Sequence, residues 1–495
     1  MIDRLVKIPN GCNAEIARYK TAIIPDYRGN PLIEALPDLL TDSEVIEKLA
    51  NYPEYNLDER EMEAHYRIHM VGRLFQIFQP LPLTMKIENR IARAIRQGYI
   101  ARNPFSPDIA YAYGREYKDS VYNPSSSGFT IIGASGIGKT TALHHILNLY
   151  PQVISHSSHS GKPLSTYQVV WLKLECPYDG SIKGLMLNFF LGIDSLLGTE
   201  YFKKVNNATT DKMISVMNQV VLNINLGLFV IDEIQHLSLA KSGGSQKMLN
   251  FFVNLVNSVG IPIVLVGTPK SMSVLGGEFR LCRRGIGIGG DVICDRLKKD
   301  RIWDLLIQSI WNYQWTKNKI ELTEELSQVF YEETQGIPDL LIKLYAITQV
   351  YSISSGKEYI NPNMIRKAAK DNFKFVQPML KALKSGNIRE MAKYEDAYIT
   401  DFNIVDVMEK TKESIQLNFK TISKLNKIRQ NDIIKNDSEA RGVEKSKRDQ
   451  ANKSAINEYA ESDIRFIVKG GAKNNKNAYE ALKEYGYVKS CNEYI

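Results

Sequence analysis

The order of apolar and polar positions in the middle of the chain predicts short buried strands separated by amphipathic helices. Each expected strand is followed by a helical pattern, such as the one from Ser181 to Gly198. Strands that alternate with helices in this way predict a doubly wound parallel sheet, an α/β fold that binds its ligand at the carboxyl ends of the strands. The expected strands are Thr130–Ile132, Tyr167–Leu174, the apolar part of Leu226–Ser238, and Ile261–Pro269.

Other patterns flank this α/β region. Residues 1–60 are irregular and predict an extended arm, and a helical pattern runs from Asp58 to Phe78. The polar stretch 155–166 predicts a loop, whereas the helical periodicity from Arg301 to about Phe375 predicts a small lid. The predicted division is 1–115 as an N-terminal arm and helical extension, 116–300 as a nucleotide-binding domain, 301–384 as a helical lid, 385–455 as a charged linker and 456–495 as a C-terminal docking segment.

A glycine-rich turn follows the first of these strands and has the spacing G-x-x-x-x-G-K-T. Such a turn holds a triphosphate by backbone N–H groups, and its glycines allow close approach and positive φ angles. Lys139 can reach the β- and γ-phosphates, and the Thr140 hydroxyl can bind Mg²⁺. The expected nucleotide-binding residues are Gly133, Ala134, Ser135, Gly136, Ile137, Gly138, Lys139, Thr140 and Thr141.

Two acidic residues, Asp232 and Glu233, end the third expected strand. Paired carboxylates in this position suit a Mg²⁺-dependent nucleotide hydrolase: Asp232 can hold the metal together with Thr140, and Glu233 can act as general base toward water. The alternative is a strand that ends in two acids which cap the next turn. Thr268 ends the fourth strand and is placed to sense the γ-phosphate or to orient the water.

Three arginines, Arg280, Arg283 and Arg284, cluster just before the glycine-rich stretch GIGIGG. One of them could act on the nucleotide of a neighbouring subunit and stabilise charge in the transition state. A basic surface cluster is the other interpretation.

The composition limits the possible partners, sites and location of the protein without identifying its function. The net charge of +8 and the pI near 8.9 permit a nucleic-acid or acidic partner without requiring one. The five cysteines form no C-x-x-C pair, so neither a disulfide framework nor a zinc site is expected. Without a signal-peptide pattern or a long apolar run, the sequence predicts an intracellular protein with no membrane association.

With these segments in place, the chain resembles the AAA+ ATPases, and within them the TnsC regulators of Tn-seven-type bacterial transposons, which are related to TniB. The resemblance is carried by YRGNPLIEALP, GASGIGKTT, LGLFVIDEIQHLS, GGSQKMLNFFVNLVNSVGIPIVLVGTPK and SDIRFI. It implies an AAA+ P-loop fold with a helical lid, an N-terminal extension and a C-terminal tail. ATP and Mg²⁺ are the implied cofactors, and the bacterial cytoplasm is the implied location.

The resemblance also implies partners. Proteins of this family assemble on duplex DNA as rings or filaments, here expected to be hexamer- or heptamer-like. They receive a target selector of the TnsD or TniQ kind and recruit a TnsA/TnsB-type transposase. The implied DNA-binding residues, for which a solvated basic loop is the alternative, are Lys183, Lys203, Lys204, Thr209 and Thr210; the implied docking residues are Asp463, Ile464, Arg465 and Phe466.

One position departs from the family pattern. Many AAA+ proteins carry arginine in a Gly-x-Pro-Arg motif at the start of a lid helix, but this chain has Asp339 there. Lys343, one turn further on, could take over the contact with the nucleotide. The departure predicts slow hydrolysis, in which bound ATP works mainly as a switch.

Two other functions fit the same sequence. A protein-remodelling AAA+ motor or a helicase loader would thread its substrate past aromatic residues, but no aromatic-Val-Gly loop lies between the expected strands. A signalling NTPase would bind nucleotide and show no salt-dependent affinity for DNA.

Overall fold

A computed structural model of the chain describes residues 5–105, 128–239, 251–252, 260–271 and 291–385. Its strands, in chain order, are β1 (Leu5–Lys7), β2 (Asn13–Ile16), β3 (Phe129–Gly133), β4 (Val153–His159), β5 (Lys162–Val169), β6 (Trp171–Glu175), β7 (Leu228–Asp232), β8 (Ile263–Gly267) and β9 (Val292–Cys294).

The α-helices of the described residues are α1 (Pro31–Glu34), α2 (Asp42–Leu49), α3 (Ala64–Met70), α4 (Pro82–Ile100), α5 (Lys139–Leu147), α6 (Ile182–Leu197), α7 (Tyr201–Val205), α8 (Thr210–Asn223), α9 (Arg301–Trp311), α10 (Glu324–Thr334), α11 (Pro338–Ser354), α12 (Pro362–Asn372) and α13 (Gln377–Ser385). Short 3-10 helices cover Pro25–Tyr27, Leu57–Glu61, Val71–Gln76 and Ile234–Leu239. No helix within the described ranges has the length and apolar character that a bilayer crossing needs.

The described residues group into two compact units. The first unit comprises residues up to 39, residues 86–134 and residues 139–294, and the second comprises residues 40–85, 135–138 and 295–385. Residues 1–115 were predicted to form one extension, but residues 40–85 pack with the helices that follow residue 295, because their apolar side chains share that core. The other predicted boundaries stay predictions.

The first unit contains the predicted parallel sheet. Its strand order is β6-β7-β8-β3-β9, and every neighbouring pair is parallel. Every residue of β3, β7 and β8 is buried, as expected for inner strands covered by helices on both faces. The chain therefore has the parallel sheet covered by helices that its alternating pattern predicts, in agreement with the AAA+ P-loop fold that the resemblance implies.

The apolar run from Tyr167 to Leu174 does not form one strand. β5 ends at Val169 and belongs to a second sheet, ordered β1-β2-β4-β5, whereas β6 begins at Trp171 in the parallel sheet. The predicted loop at 155–166 is instead most of the β4–β5 hairpin. Ser160 and Gly161 join its strands, and both have positive φ, as a two-residue type I′ turn requires.

The N-terminal residues continue this second sheet. β2 runs parallel to β4, with Glu15 opposite Ile154, and β1 pairs antiparallel with β2. Buried polar groups hold the next segment: the His159 ring lies 2.7 Å from the Glu34 carboxylate, and Gln168 donates to the Leu32 carbonyl at 2.8 Å. Residues 5–39 of the predicted arm are therefore an integral part of the first unit.

The second unit is helical. Residues 58–78, predicted as one helix, form α3 between two 3-10 helices. Arg67 is fully buried there and makes a two-point contact with the carboxylate of Glu358, at 2.7 and 2.8 Å. Its guanidinium also donates to the Trp315 carbonyl at 2.7 Å. These contacts attach α3 to the segment between α9 and α10 and to the segment that follows α11.

Candidate nucleotide site

The glycine-rich turn follows β3, the strand that lies between β8 and β9. Gly136 and Gly138 have φ angles of +77° and +92°, which side-chain-bearing residues rarely adopt. Gly133 is required for a different reason: a Cβ atom there would lie 2.4 Å from the Cys294 carbonyl oxygen on β9. The first glycine thus permits tight strand packing, and the other two permit the turn.

Lys139 opens α5, directly after the turn. Its ammonium group donates to the carbonyl oxygens of Gly133 and Ala134, at 2.7 and 2.9 Å. Burial lowers the pKa of Lys139, and the nearby Cys294, Asp232 and Glu233 oppose that effect. The cation is therefore held over the turn in surroundings that favour an anionic partner.

Asp232 lies at the carboxyl end of β7, and it is 2% exposed. Its Oδ2 accepts from the Thr140 hydroxyl at 3.1 Å and lies 3.1 Å from the Lys173 ammonium group. Its Oδ1 accepts from the backbone N–H of Glu233 at 2.9 Å. The carboxylate thus joins the start of α5 to strands β6 and β7.

Glu233 follows in a left-handed backbone conformation, with φ of +58°. Its carboxylate accepts from the side-chain amide of Gln235, and the oxygen of that amide accepts from the Thr268 backbone N–H at 3.2 Å. Thr268 is 7% exposed and follows β8. Gln235 therefore links the ends of β7 and β8, and with them two of the predicted catalytic residues.

The residues present suit a magnesium nucleotide. Mg²⁺ at nucleotide sites is usually held by one or two protein oxygens together with phosphate oxygens. Thr140 and Asp232 supply a hydroxyl and a carboxylate 3.1 Å apart, and the preceding turn has the positive φ angles that aim backbone N–H groups at an anion.

The predicted DNA-contacting residues fall into two groups. Lys183 lies in the first turn of α6, after Ser181, whose side chain caps that helix. Lys203 and Lys204 lie on α7, whose first N–H groups, at Tyr201 and Phe202, donate to Asp194 near the other end of α6. Because α6 has 16 residues and each residue advances a helix by about 1.5 Å, the two groups are far apart along it.

The second group makes local contacts of its own. Lys203 pairs with Glu200 at 2.5 Å, and the Lys204 ammonium lies 5.8 Å from the centre of the Tyr201 ring. The Thr209 side chain caps α8 by accepting from the Lys212 N–H at 3.4 Å, and Thr210 begins that helix. Lys183, Lys203 and Lys204 are all exposed.

Lys343 lies in α11 of the second unit, and its ammonium group pairs with Asp339 at 2.9 Å. The acid that replaces the family's arginine thus contacts the lysine that was expected to compensate for it. The remaining predicted residues lie outside the described residues: Arg280, Arg283, Arg284, Asp463, Ile464, Arg465 and Phe466.

With this geometry established, comparison with known families gives a domain assignment. Residues 125–275 match the family model described as AAA domain. The chain carries an AAA-type ATPase domain. The matched stretch contains the glycine-rich turn, Asp232, Glu233 and Thr268. A search of curated proteins found no significant match to the chain.

The chain is also similar to solved structures. The ORC2 protein of Aeropyrum pernix, in ADPNP–ADP complexes, shares 13% identity over 59% of this chain and 80% of its own, with a TM-score of 0.34. Cdc6p from Pyrobaculum aerophilum shares 14% identity over 61% of this chain and 88% of its own, with a TM-score of 0.36. A mutant form of Thermotoga maritima RuvB shares 11% identity over 68% of this chain and 90% of its own, with a TM-score of 0.32.

Two residues of the AAA-type site were missed by the sequence interpretation. Lys173 is a charged residue inside an apolar run, YQVVWLKL, and that mismatch with a strand buried on both faces was the available signal. Gln235 gave no signal of its own, because its two contacts depend on where β8 ends relative to β7.

Proposed function

We propose that this chain is an ATP-dependent, DNA-binding regulator of transposition. It would oligomerise on duplex target DNA, connect a target-selection protein to the transposase and hydrolyse ATP to control that assembly. The observation that carries the ATPase part is the convergence of Thr140 and Asp232 beside the glycine-rich turn. The transposition part rests on the sequence resemblance to TnsC regulators.

Each residue of the site has a proposed role in hydrolysis. Lys139 and the N–H groups of the turn would hold the phosphates, and Thr140 and Asp232 would hold Mg²⁺. When bound, Mg²⁺ supplies charge neutralisation at the phosphate oxygens. Glu233 would accept the proton of the attacking water, and Thr268 would orient that water.

Two further contacts with the nucleotide are proposed. One of Arg280, Arg283 and Arg284 would act on a neighbouring subunit's phosphates in a ring or filament. Lys343 would have to exchange its Asp339 partner for the nucleotide, so hydrolysis should be slow.

Exposed lysines would track DNA phosphates without reading sequence. Lys183 lies in the first turn of α6, and Lys203 and Lys204 lie on α7, beyond the other end of α6. Each group can therefore be neutralised separately. If the pair contacts phosphates, its change to alanine lowers the slope of log K against log salt by about 2. The matched control removes Lys367 and Lys370, two exposed lysines of α12. An unchanged slope for every variant would contradict the DNA assignment and favour a signalling NTPase.

The partner assignment has its own test. The C-terminal residues Asp463, Ile464, Arg465 and Phe466 would bind a TnsA/TnsB-type transposase, and a TnsD/TniQ-type selector would bind the assembled protein. Deleting residues 456–495 should leave ATP-dependent assembly on DNA intact and abolish transposase recruitment. Loss of both together would count against a docking tail.

A protein-remodelling ATPase is the second candidate, and Tyr178 favours it. This residue lies in the turn between β6 and α6 and is 80% exposed, although the turn lacks the aromatic-Val-Gly pattern. A remodelling motor predicts that Tyr178→Ala abolishes stimulation of hydrolysis by an unfolded protein substrate. The DNA-binding proposal predicts no such stimulation in either form.

A further inference from the structure

Glu233 has a left-handed backbone conformation, with φ of +58°. A residue with a Cβ atom in this conformation costs about 1–2 kcal/mol relative to ordinary helical geometry. Its backbone N–H is bound to Asp232, the residue just before it, at 2.9 Å. Such strain persists only where surrounding contacts fix it, and it concentrates at functional sites.

Gln235 supplies the side-chain contact that fixes the Glu233 carboxylate. Its amide nitrogen donates to Oε2 of Glu233, and its amide oxygen accepts from the Thr268 N–H at 3.2 Å. Gln235 is 7% exposed, so water has little access to the amide. The amide nitrogen therefore binds the residue that follows β7, and the amide oxygen binds the residue that follows β8.

The β8 end of this link is itself anchored. The Thr268 carbonyl accepts from both the backbone N–H and the hydroxyl of Ser271, at 3.0 and 2.6 Å. Gly267 leaves the space that Gln235 occupies, since a Cβ atom there would lie 3.0 Å from the amide oxygen and 2.5 Å from Cγ2 of Ile234. Gly267 therefore provides the room for the link, and Ser271 holds Thr268 in place.

We propose that Gln235 is a positioning residue that makes the orientation of Glu233 depend on the carboxyl end of β8. This inference rests on the proposed function, because Gln235 acts through the general base. A shift of Thr268 would be transmitted by the amide to the Glu233 carboxylate. A base that moves by about 1 Å can lose on the order of 100-fold in rate. The link would thereby couple hydrolysis to whatever moves the end of β8.

Two substitutions test the two hydrogen bonds of Gln235. Gln235→Met removes both hydrogen bonds at similar volume. Gln235→Glu keeps an acceptor for the Thr268 N–H but places a second carboxylate against Glu233 and removes the donor. A matched control is Gln328→Met, because Gln328 is an exposed glutamine that donates to Glu332 at 3.0 Å on α10. Circular dichroism establishes that each full-length variant is folded.

The measurement is steady-state ATP hydrolysis together with the Kd of a fluorescent ATP analogue. We expect kcat to fall roughly 10- to 100-fold in both Gln235 variants, with the Kd within about twofold of the unmodified protein and the Gln328 variant unchanged. Gly267→Ala should lower kcat in the same way, and it serves as an independent route if a Gln235 variant does not fold.

Three results would overturn the inference: a kcat near that of the unmodified protein in both variants, an unaffected Gln235→Glu variant, or an equal loss of nucleotide binding. Lys139→Ala and Glu233→Gln distinguish this failure from a wider one. If those two variants hydrolyse ATP like the unmodified protein, the proposed ATPase function fails. If they are inactive while both Gln235 variants are active, only the positioning role fails.

Discussion

The ammonium group of Lys173 lies 3.1 Å from Oδ2 of Asp232, the same oxygen that accepts from the Thr140 hydroxyl. The lysine side chain is 20% exposed and the aspartate side chain 3%. A buried carboxylate without a partner is costly, so Lys173 is positioned to make burial of Asp232 tolerable.

Lys173→Met should therefore destabilise the protein. The variant keeps the apolar contacts of the side chain and removes the cation, and we expect the free energy of unfolding to fall by about 1–3 kcal/mol. Urea unfolding measures this difference. Lys203→Met is the matched control, because its pair with Glu200 is exposed and should contribute little to stability.

A double-mutant cycle isolates the Lys173–Asp232 interaction. In the Asp232→Asn background, Lys173→Met should cost much less than in the unmodified protein, because the buried negative charge has been removed. Equal costs in the two backgrounds would show that the pair contributes nothing to stability.

Arg67→Met should strongly destabilise the helical unit. Removing the guanidinium leaves the Glu358 carboxylate buried without its two-point partner, although it still accepts from the Lys317 N–H at 3.0 Å. Breaking a buried pair from one side typically costs about 3–5 kcal/mol. The measurement is chemical unfolding, with the exposed Arg366→Met as control; a cost no larger than the control's would contradict the assigned role.

Acid should destabilise the first unit through His156. Burial lowers the pKa of His156 to about 4, the hydrogen bond with Gln168 opposes that shift, and the charge of His159 adds to it. The unfolded chain takes up this proton near pH 6.5, whereas the folded chain does so only near pH 4. Stability should therefore fall between these values, by about 3 kcal/mol for a shift of this size.

Between pH 6.5 and 4.5, the loss of stability caused by His156 can be measured apart from the contribution of Glu34. Burial acts to raise the pKa of Glu34, but hydrogen bonds from His159 and from the Gly29 and Ala22 N–H groups together lower it. Its stabilisation is present above about pH 4.5 and is lost as the pH falls further. His156→Gln should flatten the upper interval, whereas exposed His144→Gln should not; matching pH profiles for all three proteins would exclude His156 as the source.

Gly133→Ala should destabilise the parallel sheet. The added methyl group would lie 2.4 Å from the Cys294 carbonyl oxygen, so β3 and β9 would have to separate. Overpacking of this kind costs about 1–3 kcal/mol. Gly72→Ala is the control, because nothing lies within 4 Å of a Cβ atom there. Thermal unfolding distinguishes the two, and similar midpoints would contradict the packing argument.

The parallel sheet and the location of its site could be predicted because local patterns determine them. β3 and β7 are short, mostly apolar strands. The glycine turn follows β3 and Asp232 ends β7, and these features need no knowledge of distant residues. The break at Val170 could not be predicted in this way. Residues on both sides of it are apolar, and only pairing with β4 on one side and β7 on the other separates them.

The contacts of Lys173 and Gln235 depend on tertiary structure. Lys173 reaches Asp232 because β6 and β7 run parallel with Lys173 opposite Val230 and Glu175 opposite Asp232. The hairpin at residues 155–166 was missed because its strands carry polar residues. The burial of its two histidines depends on partners far away in sequence. His156, for example, is 3% exposed and bonds Tyr19 at 2.8 Å.

Nucleotide-dependent binding of duplex DNA tests the central claim most directly. A labelled random-sequence duplex is sedimented with the protein in the presence of ATP, a slowly hydrolysed analogue, ADP or no nucleotide, with Lys139→Ala in parallel. We predict that the duplex pellets only with the two triphosphates, and never with Lys139→Ala. A duplex that fails to pellet, or pellets equally under all four conditions, would contradict ATP-gated assembly on DNA.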